Sequence, residues 1–183
     1  MGLGNNEKHI YLKLKEGKVL ASDGRQADYI EGRITDVTTA IRQFNGEDVE
    51  LVYLTFISDG EGFLLGMNRG TGLTWGILNM LTSAEALGVV RITPYMKDGW
   101  QRATVTNDGT PLRWKYPNAD GKARAEQMEG LLAEVRGIVA RTPADAPQQT
   151  PHRATKKKRG AAALSLPVDP NEHKRGEPAG MPF

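Results

Sequence analysis

Apolar and polar positions alternate over residues 10–14, with Ile10, Leu12 and Leu14 on one side and Tyr11 and Lys13 on the other. That period of two marks a half-buried strand. Glu16-Gly17 supplies a turn, and residues 18–20 return as a short partner. Residues 29–37 form the next expected strand, and Gly32 inside it signals a bulge or a sharp coil of the kind a closing barrel needs. Asn45-Gly46 turns the chain into 49–57, a run rich in β-branched and aromatic residues. A Gly-bearing break at 58–62 leads into a second strand at 63–67, so the two read as a hairpin.

The period then changes. Leu73, Ile77, Leu78, Leu81 and Ala84 recur at helical spacing, which predicts a helix over 73–87 with Thr71 as N-cap and Gly88 as its stop. Strands resume at 89–97 and 100–106, joined by the tight-turn pair Asp98-Gly99. A further turn at 107–110 leads to a last strand expected at 112–116. Residues 122–141 predict an amphipathic helix with Met128, Leu131, Leu132, Val135, Ile138 and Val139 on one stripe. Gly130 and Gly137 each weaken it by about 1 kcal/mol relative to Ala. Beyond Thr142, Pro, Ala, Gln, Gly and charge dominate, apart from Leu164-Ser165-Leu166, and disorder is expected.

From residue 29 to 106 the order is strand, strand, strand, helix, strand, strand. The expected fold is therefore mainly β: a five-stranded OB-fold barrel with a plug helix, an extra N-terminal hairpin, an appended amphipathic helix and a disordered C-terminal tail. An SH3-like barrel and a plain α+β sheet are the alternatives. The expected divisions are an OB-like domain at 1–118, the appended helix at 119–141 and the tail at 142–183. That helix can pack on the barrel or pair between subunits, so a homo-oligomer stays open.

Charge is unevenly placed. Residues 1–141 carry 17 Lys+Arg against 18 Asp+Glu, and residues 142–183 carry 7 against 4. A near-neutral domain still binds nucleic acid when its cations share one face; an ordinary mixed surface is the plain alternative. The absence of cysteine excludes disulfides and thiolate metal sites and fits a reducing cytosol. No run approaches the roughly 18 apolar residues of a membrane span, and Met1 to Asn6 do not resemble a secretory signal. His9, His152 and His173 stand apart from any nucleophile or carboxylate pair in a structured segment. No enzyme, metal or other cofactor is expected, and nothing favours a carboxylate-only magnesium nuclease.

The chain resembles bacterial and phage single-stranded-DNA-binding proteins. Three features carry the resemblance: the strand–helix–strand order, the layout of a domain followed by a Pro/Gln/Gly-containing tail, and the final Met181-Pro182-Phe183. The segments Tyr29-Ile30-Glu31-Gly32-Arg33-Ile34 and Leu112-Arg113-Trp114-Lys115-Tyr116 also look like those of phage and mobile-element versions. The resemblance implies non-sequence-specific binding of single-stranded DNA in replication or recombination, in the cytoplasm of a bacterial cell or phage-infected host. It also implies that Pro182 and Phe183 recruit replication or recombination proteins. Family tails close on an acidic tip; here the last dozen residues hold Glu172 and Glu177 as their only acids, beside Lys174 and Arg175.

Single-strand binding needs cations that track phosphates and aromatic faces that stack on bases, each stack contributing about 1–3 kcal/mol. Alternation places Arg91, Tyr95, Lys97, Trp100 and Arg102 on one face of the 89–106 hairpin. Arg33, Arg113, Trp114 and Lys115 complete the expected nucleic-acid site. Arg42 flanks the first long strand, while Tyr53, Phe56 and Trp75 suit core packing. Asn68 to Gly72 offer either a single phosphate contact or a plain helix cap. Lys156 to Arg159 add long-range attraction or simply a solvated linker. Two other functions fit the same pattern: an OB-type interaction or assembly module of a phage or mobile element, and an RNA-binding protein of cold-shock type.

Overall fold

A computed structural model describes residues 9–142 of the chain. Nine strands and two helices follow in order: β1 Ile10–Lys15, β2 Lys18–Ala21, β3 Gln26–Ala27, β4 Ile30–Phe44, β5 Glu47–Ser58, β6 Glu61–Asn68, α1 Gly72–Leu81, β7 Val90–Lys97, β8 Trp100–Asn107, β9 Thr110–Pro111 and α2 Gly121–Arg141. The fold is mainly β. The strands form one sheet in the order β3-β2-β1-β6-β5-β4-β7-β8-β9. Every described pairing is antiparallel except β1 with β6.

Five hairpins share one turn chemistry. At Glu16-Gly17, Asn45-Gly46, Asp59-Gly60, Asp98-Gly99 and Asp108-Gly109 both central residues have positive φ. Such two-residue loops match the right-handed twist of the strands they join.

The sheet bends but does not close. The β1–β2 turn comes to β7, where a Cβ at Gly17 would lie 3.4 Å from Met96 N, yet no ladder joins the two. The expected irregularity in β4 is resolved into two devices. The register shift lies between Ile34 and Asp36. Gly32 instead allows close approach, because a Cβ there would meet the Ile57 carbonyl oxygen at 2.6 Å. Beyond Gly32 β4 loses β7 as a neighbour. Its open edge is blocked at Val37, whose N–H donates to Asp36 Oδ1 (2.8 Å) and whose carbonyl accepts from Arg136 Nε (2.9 Å). Groups of this kind keep an edge strand from recruiting other chains.

One side of the sheet faces the core through Leu12, Ile34, Val37, Val52, Leu54, Phe56, Leu65, Val90, Ile92 and Val105. Helix α1 is buried from Thr74 to Leu81 and lies over this side with α2. Thr71 caps α1 as expected, its Oγ1 accepting from Thr74 N at 3.3 Å. Helix α2 buries Met128, Leu131, Leu132, Val135 and Ile138. Each such side chain contributes about 1.5–3 kcal/mol, which outweighs the cost of about 1 kcal/mol at each α2 glycine. So α2 packs on α1 and β4 within one chain.

Two expected elements are corrected. The first helix ends at Leu81, not Leu87, because the Thr82 and Ser83 hydroxyls donate to the carbonyls of Asn79 (2.8 Å) and Met80 (2.7 Å) and close it early. Leu87 is buried all the same, and its N–H donates to Thr142 Oγ1 at the end of α2. The last strand stops at Pro111, so residues 112–116 are not a strand. There the side chain of Asn79 replaces a strand partner: its Oδ1 accepts from Lys115 N (3.0 Å) and Tyr116 N (2.9 Å). The expected tail, including Lys156 to Arg159, Pro182 and Phe183, lies outside the described residues apart from Thr142.

Candidate nucleic-acid interface

The β7–β8 register brings the expected hairpin residues together. Tyr95 stands opposite Arg102, and Lys97 opposite Trp100. Partners directly opposite in an antiparallel pair project to the same side. Ile92 with Val105 and Pro94 with Ala103 take the core side. Tyr95, Lys97, Trp100 and Arg102 therefore share the outward side, all of them exposed. Trp100 is 72% exposed beside the Asp98-Gly99 turn, so its indole covers almost nothing of its own protein.

Arg91 lies on the same outward side but is already engaged. Its Nε donates to Glu31 Oε2 at 2.5 Å across the β4–β7 ladder. Its guanidinium carbon sits 4.3 Å from the centroid of the Tyr29 ring. The hydrogen bond it donates to Glu31 raises its pKa further, so it is cationic at any working pH. Arg33 follows on β4, one outward position past Glu31, and is half-buried.

Arg113, Trp114 and Lys115 sit elsewhere. Their segment runs against α1 and α2, which cover the core side of the sheet. Trp114 meets buried Trp75 edge-on, with centroids 5.3 Å apart and planes at 84°. Lys115 Nζ donates to Glu134 Oε2 at 2.9 Å, and the Tyr116 hydroxyl donates to Glu134 Oε1 at 2.5 Å. These contacts tie the segment to α2. They leave the expected site as one hairpin face with Arg91 and Arg33 beside it, and a separate group around Trp114.

The outward side also carries residues that the expected site omitted. Tyr11 and Lys13 on β1, and Arg42 and Phe44 on β4, are exposed there. Tyr53 is only 8% exposed but projects to this side, where Gly66 makes room; a Cβ at Gly66 would lie 3.0 Å from the Tyr53 ring. The nearby Tyr53 hydroxyl raises the Arg42 pKa. Alternation at residues 10–14 already set Tyr11 and Lys13 apart from the core. The turn at Asn45-Gly46 is the local signal that β4 runs on to Phe44 and carries Arg42 and Phe44 with it.

The loop before α1 is a cap. Asn68 Oδ1 accepts from Gly70 N (2.9 Å), the Asn68 carbonyl takes the hydroxyls of Thr71 and Thr74, and Arg69 pairs with Glu50 and Glu129. Among the described residues no group of three His, Cys, Asp or Glu is arranged to hold a metal ion. No helix there is long and apolar enough to cross a membrane. No family model, curated protein or solved structure matches the chain.

Proposed function

We propose that this protein binds single-stranded DNA without sequence preference, and without catalysing a reaction, through the outward side of its β7–β8 hairpin. The observation that carries this reading is the pair of rungs Tyr95–Arg102 and Lys97–Trp100, which set two aromatic rings and two cations side by side. Exposed rings offer stacking faces to any base, and the neighbouring cations take the phosphates between. The order β4-β5-β6-α1-β7-β8 supports an OB-type reading of the fold, in which β1 and β2 are an addition. Membership of the bacterial and phage single-stranded-DNA-binding family, a replication or recombination role in a bacterial or phage-infected cytoplasm, and recruitment of partners through Pro182 and Phe183 belong to the same proposal.

Titration with oligo-dT tests it. Tryptophan fluorescence should quench on binding, and affinity should fall as salt rises through counterion release. The variant W100A/R102A should lose about 5- to 150-fold in affinity for the missing stack alone. Unchanged affinity in a folded W100A/R102A protein would overturn the hairpin as the site. Tighter binding to oligo-U than to oligo-dT would favour an RNA-binding role.

A second reading rests on a different observation. Ile41 is 67% exposed and Phe44 54% exposed on the β4–β5 arm, where residues 41–48 are exposed on both faces. Apolar groups there suit an interaction or assembly module. No quenching by oligo-dT at low salt would favour it.

A further inference from the structure

Arg91 is held from two directions. Glu31, directly opposite on β4, accepts its Nε–H at 2.5 Å. Tyr29, two residues before Glu31 and so on the same outward side, lies under the guanidinium at 4.3 Å. Nη1 and Nη2 have no partner among the described residues, and the side chain is 38% exposed. The long arginine side chain normally loses considerable rotamer freedom when it grips a ligand. Here that freedom is already removed by groups that use Nε and one ring face and leave the terminal nitrogens open. Two nitrogens in a fixed fork match two oxygens of a phosphate.

We infer that Tyr29 and Glu31 are positioning residues that hold Arg91 as a preformed fork for a backbone phosphodiester of the bound strand. The inference rests on the single-strand reading of the outward side and adds the residues that set its phosphate contact. It also explains a carboxylate on a surface meant for a polyanion. Glu31 repels the strand at long range, but its bond fixes the cation that meets the strand at short range. The two effects separate by substitution, because E31A and E31Q remove the same charge while only glutamine keeps an acceptor for Nε–H.

Oligo-dT affinity of the full chain should be about three- to tenfold weaker in E31A than in E31Q, with E31Q at least as tight as wild type. Tyr29→Leu, which removes the stacking ring, should weaken binding about two- to fivefold. In an Arg91→Ala background E31A and E31Q should bind alike, and Arg91→Ala itself should lower the steepness of the log–log salt dependence by about 0.7. Equal affinity of E31A and E31Q, with wild type binding, overturns the positioning role and leaves the DNA-binding reading intact. A persisting difference between them in the Arg91→Ala background does the same. Wild-type protein that leaves oligo-dT unbound at low salt overturns both.

Discussion

Asn79 pairs with the backbone of Tyr116 in both directions: its Oδ1 accepts from Tyr116 N and its Nδ2 donates to the Tyr116 carbonyl, each at 2.9 Å. The side chain is fully buried, and its Oδ1 also takes Lys115 N. One amide from α1 thus replaces the strand neighbour that residues 115 and 116 lack. Replacing it by Ala strands two N–H donors and a carbonyl at a part-buried site, where water recovers part of the about 1–3 kcal/mol that each would otherwise cost. Asn79→Ala should destabilise the protein by about 2–4 kcal/mol in urea unfolding. A loss below about 0.5 kcal/mol would mean that water restores these bonds.

Two glycines should respond to alanine with opposite signs. At Gly32 the new Cβ would press on the Ile57 carbonyl oxygen at 2.6 Å, and backbone cannot swing aside as a side chain does. Gly32→Ala should cost about 1–3 kcal/mol, as overpacking does. At Gly130, exposed on α2, a Cβ meets nothing within 4 Å. Gly130→Ala should stabilise by about 0.5–1 kcal/mol through helix propensity. Thermal melts of the two variants beside wild type check both signs.

The parts of the fold that were legible in the sequence are those set by local chemistry. Each of the five positive-φ turns falls on a Gly preceded by Glu, Asn or Asp, and the rungs Tyr95–Arg102 and Lys97–Trp100 follow from alternation on either side of Asp98-Gly99. What was not legible depended on partners far along the chain. Residues 112–116 alternate like a strand, but Asn79, more than 30 positions away, takes their backbone. Glu31 and Arg91 are 60 residues apart, and no pattern within either segment shows that they pair. Trp114 lies in a basic, aromatic run that resembles a binding strand, yet Trp75 on α1 packs against its ring.

The Glu134 carboxylate adds a small pH-dependent contribution to stability. The hydrogen bond from Tyr116, and then that from Lys115, hold its pKa below the usual carboxylate range. A carboxyl depressed in the folded state contributes stability above its unfolded pKa and loses it as pH falls through the folded value. The pair with Lys115 is half exposed, so screening by salt keeps the contribution small. Glu134→Gln should therefore lower stability at neutral pH and flatten its decline on the acid side. Parallel stability–pH curves for the two proteins across the carboxylate range would show that Glu134 does not set the slope.

Substitution of Trp100 should separate the proposed binding from stability. At 72% exposure it contributes little to the core, and surface changes of this kind usually stay within about 0.5 kcal/mol. Trp100→Ala should unfold at nearly the wild-type denaturant midpoint. The same indole is the ring most open to a base, whereas Trp75 is buried and Trp114 leans on it. Most of the fluorescence quenched by oligo-dT should accordingly vanish in Trp100→Phe, while Trp114→Phe should keep it. Trp100→Phe retains an aromatic face, so its affinity should fall less than that of Trp100→Ala, within the loss of about 1–3 kcal/mol expected for one stack. If quenching instead disappears in Trp114→Phe and survives in Trp100→Phe, the strand runs over the α1–α2 side and the hairpin is not its path.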